Sequence, residues 1–349
     1  MKTLIITGGH HSSALPVAKK LIENGYKVVW FGHRHTMWGD TSDSGEYKDV
    51  SALGIQFYDL KAGKFYNTFN PLKLIRIPFS FIQALLLLLL LRPDGIVSFG
   101  GYLAVPTVIC GWLLGIPAIT HEQTVVSGLA NKLIAHFVKK IAVTWPTSLD
   151  LYPKEKTVLI GLPLRDEILN MKQQIKPGLI YITGGKQGSH IINEVIFQAL
   201  PELIKKYSVI HQTGSSTLYH DFEKSQQFDY SNYQSFDYDS QKAIAAMQQA
   251  DIVITRGGAH IIYELGFLGK RCVIIPIPWV SYDEQTENAK ILEANNQAII
   301  LPQNKLNVER LITSITQAQQ LTPKKVNLPE DAAQKLYELA TRVFFSKTY

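Results

Sequence analysis

Two histidines, His10 and His11, stand directly after the triplet Thr7-Gly8-Gly9. Glycines at a strand end bring backbone N–H groups and the start of the next helix toward an anion. A histidine beside them can take a proton from an attacking hydroxyl near neutral pH. On residue type alone, His10 is a general base or a helix cap acting with Ser12 or Ser13. The triplet returns as Thr183-Gly184-Gly185, followed by Lys186, Gln187 and Gly188 but by no adjacent histidine. A second pair of turns accompanies the first, Gly100-Gly101 after Ile96-Val97-Ser98-Phe99 and Arg256-Gly257-Gly258 after Ile252-Val253-Ile254-Thr255.

Other polar residues cluster at the same ends. Beyond Gly258 the chain runs through Ala259, His260, Ile261, Ile262 and Tyr263 to Glu264, about one and a half turns into a helix. There a carboxylate can accept hydrogen bonds from ribose hydroxyls or simply be solvated. Gln285 and Asn288 share a helix face at i, i+3, where amides can read sugar hydroxyls. Asp283 and Glu284 before them fit a solvated helix start. His121-Glu122-Gln123, then Thr124, close another apolar run and read as a cleft wall. Asp237-Tyr238-Asp239 resembles a two-aspartate metal pattern, but it stands in a Ser/Tyr/Asp-rich stretch away from the glycine turns and reads as a turn. Neither a paired CxxC nor an HExxH occurs, so no metal and no cofactor are expected. A nicotinamide oxidoreductase needs G-x-G-x-x-G after a strand, and Gly8-Gly9 lacks the later spacing.

The elements that must position these residues are strand, glycine turn and helix, repeated. Alternation of this kind predicts an α/β protein with parallel sheets and ligands at the strand C-termini. A length of 349 residues and the duplication together predict two domains, 1–162 and 163–329. With 46% hydrophobic and 18% charged residues the composition is globular. The only cysteines, Cys110 and Cys272, lie in apolar runs, and the chain enters a strand at once, which reads as intracellular. The net charge of +6 is entirely N-terminal: residues 1–162 hold 16 Lys and Arg against 10 Asp and Glu, and residues 163–349 hold 19 of each. Residues 74–91 end in seven consecutive leucines and are flanked by Lys73 and Arg92. Arg76, Pro78 and Gln83 interrupt that stretch, so a helix buried in the core or lying in a membrane interface is expected, not a span. The basic half is therefore expected to face an anionic membrane surface, and no nucleic acid.

With these residues assembled, the chain resembles the MurG family of N-acetylglucosaminyltransferases. The likeness rests on Thr7-Gly8-Gly9-His10, Gly100-Gly101-Tyr102, His121-Glu122-Gln123, Gly128-Leu129-Ala130-Asn131-Lys132, Gly184-Gly185-Lys186-Gln187-Gly188, His211-Gln212-Thr213-Gly214, Arg256-Gly257-Gly258-Ala259 and residues 283–289, in family order. It implies a GT-B fold, two doubly wound Rossmann-like domains facing each other across a cleft, with a C-terminal helix at about 330–349 returning to the first. It implies transfer of GlcNAc from UDP-GlcNAc to the C4 hydroxyl of MurNAc in undecaprenyl-linked lipid I, with inversion, by a peripheral enzyme on the cytoplasmic face of the membrane. By position, Arg165, Gly184, Gly185, Lys186, Gln187, Gly188, Arg256, residues 259–264, Gln285 and Asn288 correspond to the donor site. Thr7, Gly8, Gly9, Gly100, Gly101, Glu122 and Thr124 correspond to the acceptor side, with His10 as base. Ser13 stands where the family has Pro, Thr124 and Leu162 where it has Asn, and Lys186 where it has Ser. These departures leave another UDP-sugar and another lipid-linked acceptor as the alternative.

Overall fold

The structure, a computed structural model, describes residues 1–35, 43–62, 76–279 and 283–346. It divides into two compact units, Met1–Asp166 with Pro329–Tyr349, and Glu167–Leu328. The first unit extends to Asp166, so it includes Arg165.

The first unit is built on seven parallel strands: β1 (Thr3–Thr7), β2 (Lys27–Gly32), β3 (Gln56–Asp59), β4 (Gly95–Ser98), β5 (Ala118–Glu122), β6 (Lys140–Val143) and β7 (Thr157–Leu159). Their order is β3-β2-β1-β4-β5-β6-β7. In the second unit β8 (Leu179–Thr183), β9 (Ser208–Gln212), β10 (Tyr233–Phe236), β11 (Ile252–Thr255), β12 (Arg271–Ile274) and β13 (Ala298–Ile300) form a parallel sheet ordered β10-β9-β8-β11-β12-β13. The chain reverses its direction of travel between β1 and β4 and again between β8 and β11. A crevice opens at such a switch point, outside the strand C-termini, and ligands of doubly wound sheets bind there. All four glycine turns seen in the sequence follow these four strands.

Alternate residues of each strand feed opposite cores, which is why the strands read as continuous apolar runs. Leu4 and Ile6 pack under the helices His11–Glu23 and Ala332–Phe345 with Val17, Leu21 and Leu336, while Ile5 joins Ala84, Leu88 and Val108 on the other face. Each such side chain contributes about 1.5–3 kcal/mol on burial. The terminal helix is locked to the first unit: the Phe345 ring stacks on Tyr26 at 5.5 Å, and the Lys2 ammonium lies 3.5 Å over it.

The helix Arg76–Leu91 buries a stripe at Ser80, Ala84 and Leu88 against the sheet and the helix Ala104–Leu113. Phe79, Ile82, Leu86, Leu89 and Leu90 are each more than half exposed, as are Trp112 and Leu113. Packing in the core and an open apolar face thus coexist in one leucine-rich helix. No helix among the described residues is long and apolar enough to cross a membrane.

Candidate functional site

At the first switch point the two turns are zipped together. Phe99 N–H donates to Thr7 C=O (2.7 Å) and Gly9 N–H to Gly100 C=O (3.1 Å). Gly8 adopts φ +137°, and a Cβ there would lie 2.7 Å from the Phe99 carbonyl carbon, so only glycine allows this approach. His10 closes the arrangement. Its Nδ1 lies 3.1 Å from the Phe99 carbonyl, which can only accept, so Nδ1 carries the proton and Nε2 carries the lone pair. The cap alternative is not realised: the His10 side chain makes no capping bond, and Ser13 Oγ donates instead to the His10 carbonyl (3.1 Å).

The second switch point repeats this plan with a cation in place of the base. Gly188, at φ +85°, would place a Cβ 1.9 Å from the Thr213 carbonyl oxygen, so the turn after β8 lies flush on the loop after β9. Arg256 is buried. Its Nη1 donates to the Ile275 carbonyl (3.0 Å) and its Nη2 to Ser189 Oγ (2.6 Å), while Nε has no hydrogen-bond partner among the described residues. Burial pushes its pKa down to about 10. No carboxylate among the described residues pairs with it, so an anionic ligand would relieve this penalty. Gln285 accepts from Gly257 N–H and Ile277 N–H (3.1 Å each) through Oε1, which leaves its amide NH2 as the donor group. Asn288 is fully buried and donates to the Gly257 carbonyl (3.1 Å). It therefore shares with Gln285 the face turned to Gly257 and helps to hold that turn.

Several glycine N–H groups are already committed. Gly100 donates to Ser98 Oγ, Gly185 to Thr183 Oγ1 and Gly188 to the Gly185 carbonyl, each at 3.0–3.1 Å. The helices that follow differ in how their starts are capped. Those starting at His11, Ala104, His190 and Ala259 have no side-chain cap, whereas those starting at Gly45, Ser240 and Val308 are capped by Ser44, Asp239 and Asn307. First-turn N–H groups without a cap are the donors an anion uses. Ile262 N–H already bonds the Gly258 carbonyl, and the Ile262 and Tyr263 side chains lie in the core, with Glu264 buried beyond them.

The β5 end differs most from expectation. His121, Glu122, Gln123 and Thr124 are buried and do not form an exposed wall. Glu122 Oε1 accepts from Gln123 N–H (3.0 Å), Thr124 N–H (3.2 Å) and the Thr124 hydroxyl (3.0 Å), and Oε2 from Asn131 (2.9 Å) and the Tyr152 hydroxyl (2.7 Å). A carboxylate so fully occupied organises the interior; Asn131 lies in a quoted motif that gave it no role, and Tyr152 is a partner that no motif flagged. His121 Nε2 donates to the Gly161 carbonyl (2.8 Å), and burial pushes its pKa down from 6.5 to about 4. In the second unit burial takes His211 to about 3. Both fold neutral, so their contribution to stability is complete above pH 6.5 and is lost as pH falls toward 4 for His121 and 3 for His211. Each pH unit inside those windows should cost about 1.4 kcal/mol per imidazole. Thermal unfolding followed from pH 7 to 4.5 should show the fall, and His121→Gln should flatten it.

Asp237-Tyr238-Asp239 lies closer to the glycine turns than the sequence suggests. Asp239 caps the helix Ser240–Gln249, and the Lys186 ammonium sits 5.5 Å over the Tyr238 ring. His190, Glu194 and Asp221 gather closely enough to hold a cation. Each is already engaged, His190 with Asp221 (2.8 Å), Asp221 with Asn193 (2.7 Å) and Glu194 with the Lys224 ammonium. In the polar stretch after β2, His33 lies 5.8 Å from the Tyr102 ring, while Thr36, Met37 and Trp38 fall outside the described residues.

Two doubly wound units with paired glycine turns at each switch point, a histidine on one and a buried arginine on the other, define a glycosyltransferase of the two-Rossmann, GT-B class. The chain belongs to glycosyltransferase family 28: the family's N-terminal domain matches residues 4–143 and its C-terminal domain residues 179–343. It is similar to a UDP-N-acetylglucosamine--N-acetylmuramyl-(pentapeptide) pyrophosphoryl-undecaprenol N-acetylglucosamine transferase 2 of Bacillus cereus, 31% identical over 345 residues, covering 93% of each chain. A Clostridium tetani transferase of the same description, without the number, is 31% identical over 328 residues, covering 88% of this chain and 87% of its own. The crystal structure of MurG from Acinetobacter baumannii superposes with a TM-score of 0.70 at 26% identity, covering 98% of this chain and all of the other.

Proposed function

We propose that this chain transfers GlcNAc from UDP-GlcNAc to the C4 hydroxyl of MurNAc in undecaprenyl-pyrophosphoryl-MurNAc-pentapeptide, forming a β-1,4 link with inversion. The observation that carries it is the 31% identity over 93% of both chains to a relative named for that reaction, and a histidine at one switch point and a buried arginine at the other support it. In this reading His10 Nε2 takes the proton from the acceptor hydroxyl, and the uncapped helix at His11 faces the lipid pyrophosphate beside Thr7, Gly8, Gly9, Gly100 and Gly101. Glu122 and Thr124 support that side from within.

On the donor side the uncapped helices at His190 and Ala259, with Arg256, receive the UDP diphosphate, and they stabilise the charge that gathers on UDP as it leaves. Residues 184–188 shape that turn, Glu264 takes the ribose, the Gln285 amide NH2 takes a sugar hydroxyl and Arg165 contributes to donor binding. Release of UDP measured across a panel of UDP-sugars and lipid-linked acceptors tests this. Turnover confined to UDP-GlcNAc and a lipid I analogue is expected; a folded protein that turns over only another pair would overturn it.

The acceptor's lipid tail calls for a membrane surface, at the cytoplasmic face. The exposed face of the helix Arg76–Leu91, with Trp112 and Leu113, supplies apolar contact area, and the N-terminal excess of Lys and Arg supplies attraction to anionic headgroups. At about 1 kcal/mol per basic side chain, changing Lys73, Arg76 and Arg92 to Glu should weaken binding to anionic vesicles roughly a hundredfold or more. Lys73 itself lies outside the described residues. Vesicle sedimentation unchanged by the triple substitution would remove the docking role.

A further inference from the structure

His10 is held at two points. Its ring is tied to the Phe99 carbonyl, and its backbone carbonyl accepts from Ser13 Oγ (3.1 Å). Ser13 Oγ in turn accepts from Gln123 Nε2 at 2.6 Å, across 110 residues of sequence. Both side chains are within 1% of full burial, and Gln123 directly follows β5, the strand paired with β4. A continuous polar line thus runs from the sheet through Gln123 and Ser13 to the residue that ends β1's turn. The oxygen of the same Gln123 amide, Oε1, is buried with no hydrogen-bond partner among the described residues. Burying an amide that is only half satisfied is unfavourable, and such groups survive where the bond they do make matters.

His10 also needs this second anchor. It has non-helical backbone angles, φ −120° and ψ 67°, just before the helix His11–Glu23. A single ring bond to Phe99 would leave the peptide free to rock, and the ring with it. Ser13 stands in the first turn, where its hydroxyl reaches back to the residue before the helix. Gln123 fixes that hydroxyl's direction: because the amide donates, the Ser13 proton is left to point at the His10 carbonyl.

We propose that Ser13 and Gln123 are positioning residues for His10, transmitting the register of β5 to the base; this rests on His10 being the base. Misplacement of a catalytic group by a fraction of an ångström is felt mainly in the rate of the chemical step. Steady-state kinetics on the full chain with UDP-GlcNAc and a lipid I analogue provide the test. Ser13→Ala should lower kcat about tenfold with KM for UDP-GlcNAc changed less than about twofold, and Ser13→Thr, which keeps the hydroxyl, should recover to within about threefold of the parent. Gln123→Met should match Ser13→Ala, and it keeps the test open if Ser13→Ala does not fold.

Combination with His10→Asn separates positioning from general structural damage. Once the base is gone, Ser13→Ala should cost no more than about a further twofold, because the two act as one unit. The same tenfold loss in both backgrounds, or no loss from either Ser13→Ala or Gln123→Met, would overturn the proposal. Full activity of His10→Asn alone would instead overturn the base assignment on which it rests.

Discussion

Replacing His10 with asparagine is expected to lower kcat by about 10²–10⁴ while leaving UDP affinity within about twofold of the parent. Asparagine can still donate a hydrogen bond to the Phe99 carbonyl, the contact that fixes the imidazole ring. It lacks the lone pair of Nε2, so it preserves the anchor and removes only the proton acceptor. Stability should change little, because the His10 side chain caps no helix and the turn itself is held by backbone bonds from Phe99 to Thr7 and from Gly9 to Gly100. Stopped assays of UDP release, with UDP binding by calorimetry on the same preparation, check both halves of the expectation. A variant that retains most of its kcat would show that His10 is not the base.

Substituting Arg256 with lysine is expected to lower kcat/KM for UDP-GlcNAc by about 10²–10³ and to weaken UDP much more than uridine. Lysine keeps the charge but not the fork. The guanidinium spans Ile275 and Ser189, ties the end of β12 to the start of the helix His190–Leu203, and so aims its charge at the uncapped N-terminus. A single ammonium cannot reach both partners. The depressed pKa of Arg256 has the matching sign, since burial without a carboxylate disfavours its charge until an anion arrives. Affinity for UDP, UMP and uridine measured in parallel distinguishes this from a loss of fold: an equal drop for all three would point to a damaged unit and not to a lost phosphate contact.

The parts of this site that were legible in the sequence are those where local geometry leaves few choices. Thr7-Gly8-Gly9 and Thr183-Gly184-Gly185 each end a β-branched run, and Gly8 and Gly188 are glycines because a Cβ would overlap the neighbouring backbone. Their partners at Gly100 and Gly257 follow the strands across each switch point, so the doubling seen in sequence is a doubling of place in the fold. What was illegible depends on contacts distant along the chain. A polar strand end such as His121-Glu122-Gln123 reads the same whether it faces a ligand or an interior, and its partners Ser13, Asn131 and Tyr152 belong to other segments. Tyr238 reaches Lys186 because β9 brings the loops after β8 and β10 together. Seven leucines in a row have no periodicity, so nothing in that run marks Leu88 as buried and Leu90 as exposed.

In the proposed reaction the glycines allow close approach, while uncapped helix starts and two side chains supply the chemistry: a base at the first turn, a cation at the second. Titration of the full chain and of its His10→Asn and Arg256→Lys variants with UDP and, separately, with a lipid I analogue tests that division of labour directly. The account predicts that Arg256→Lys weakens UDP at least about tenfold and leaves the acceptor analogue unaffected, while His10→Asn leaves UDP affinity within about twofold and lowers kcat by about 10²–10⁴. Loss of UDP binding in His10→Asn equal to that in Arg256→Lys would contradict it.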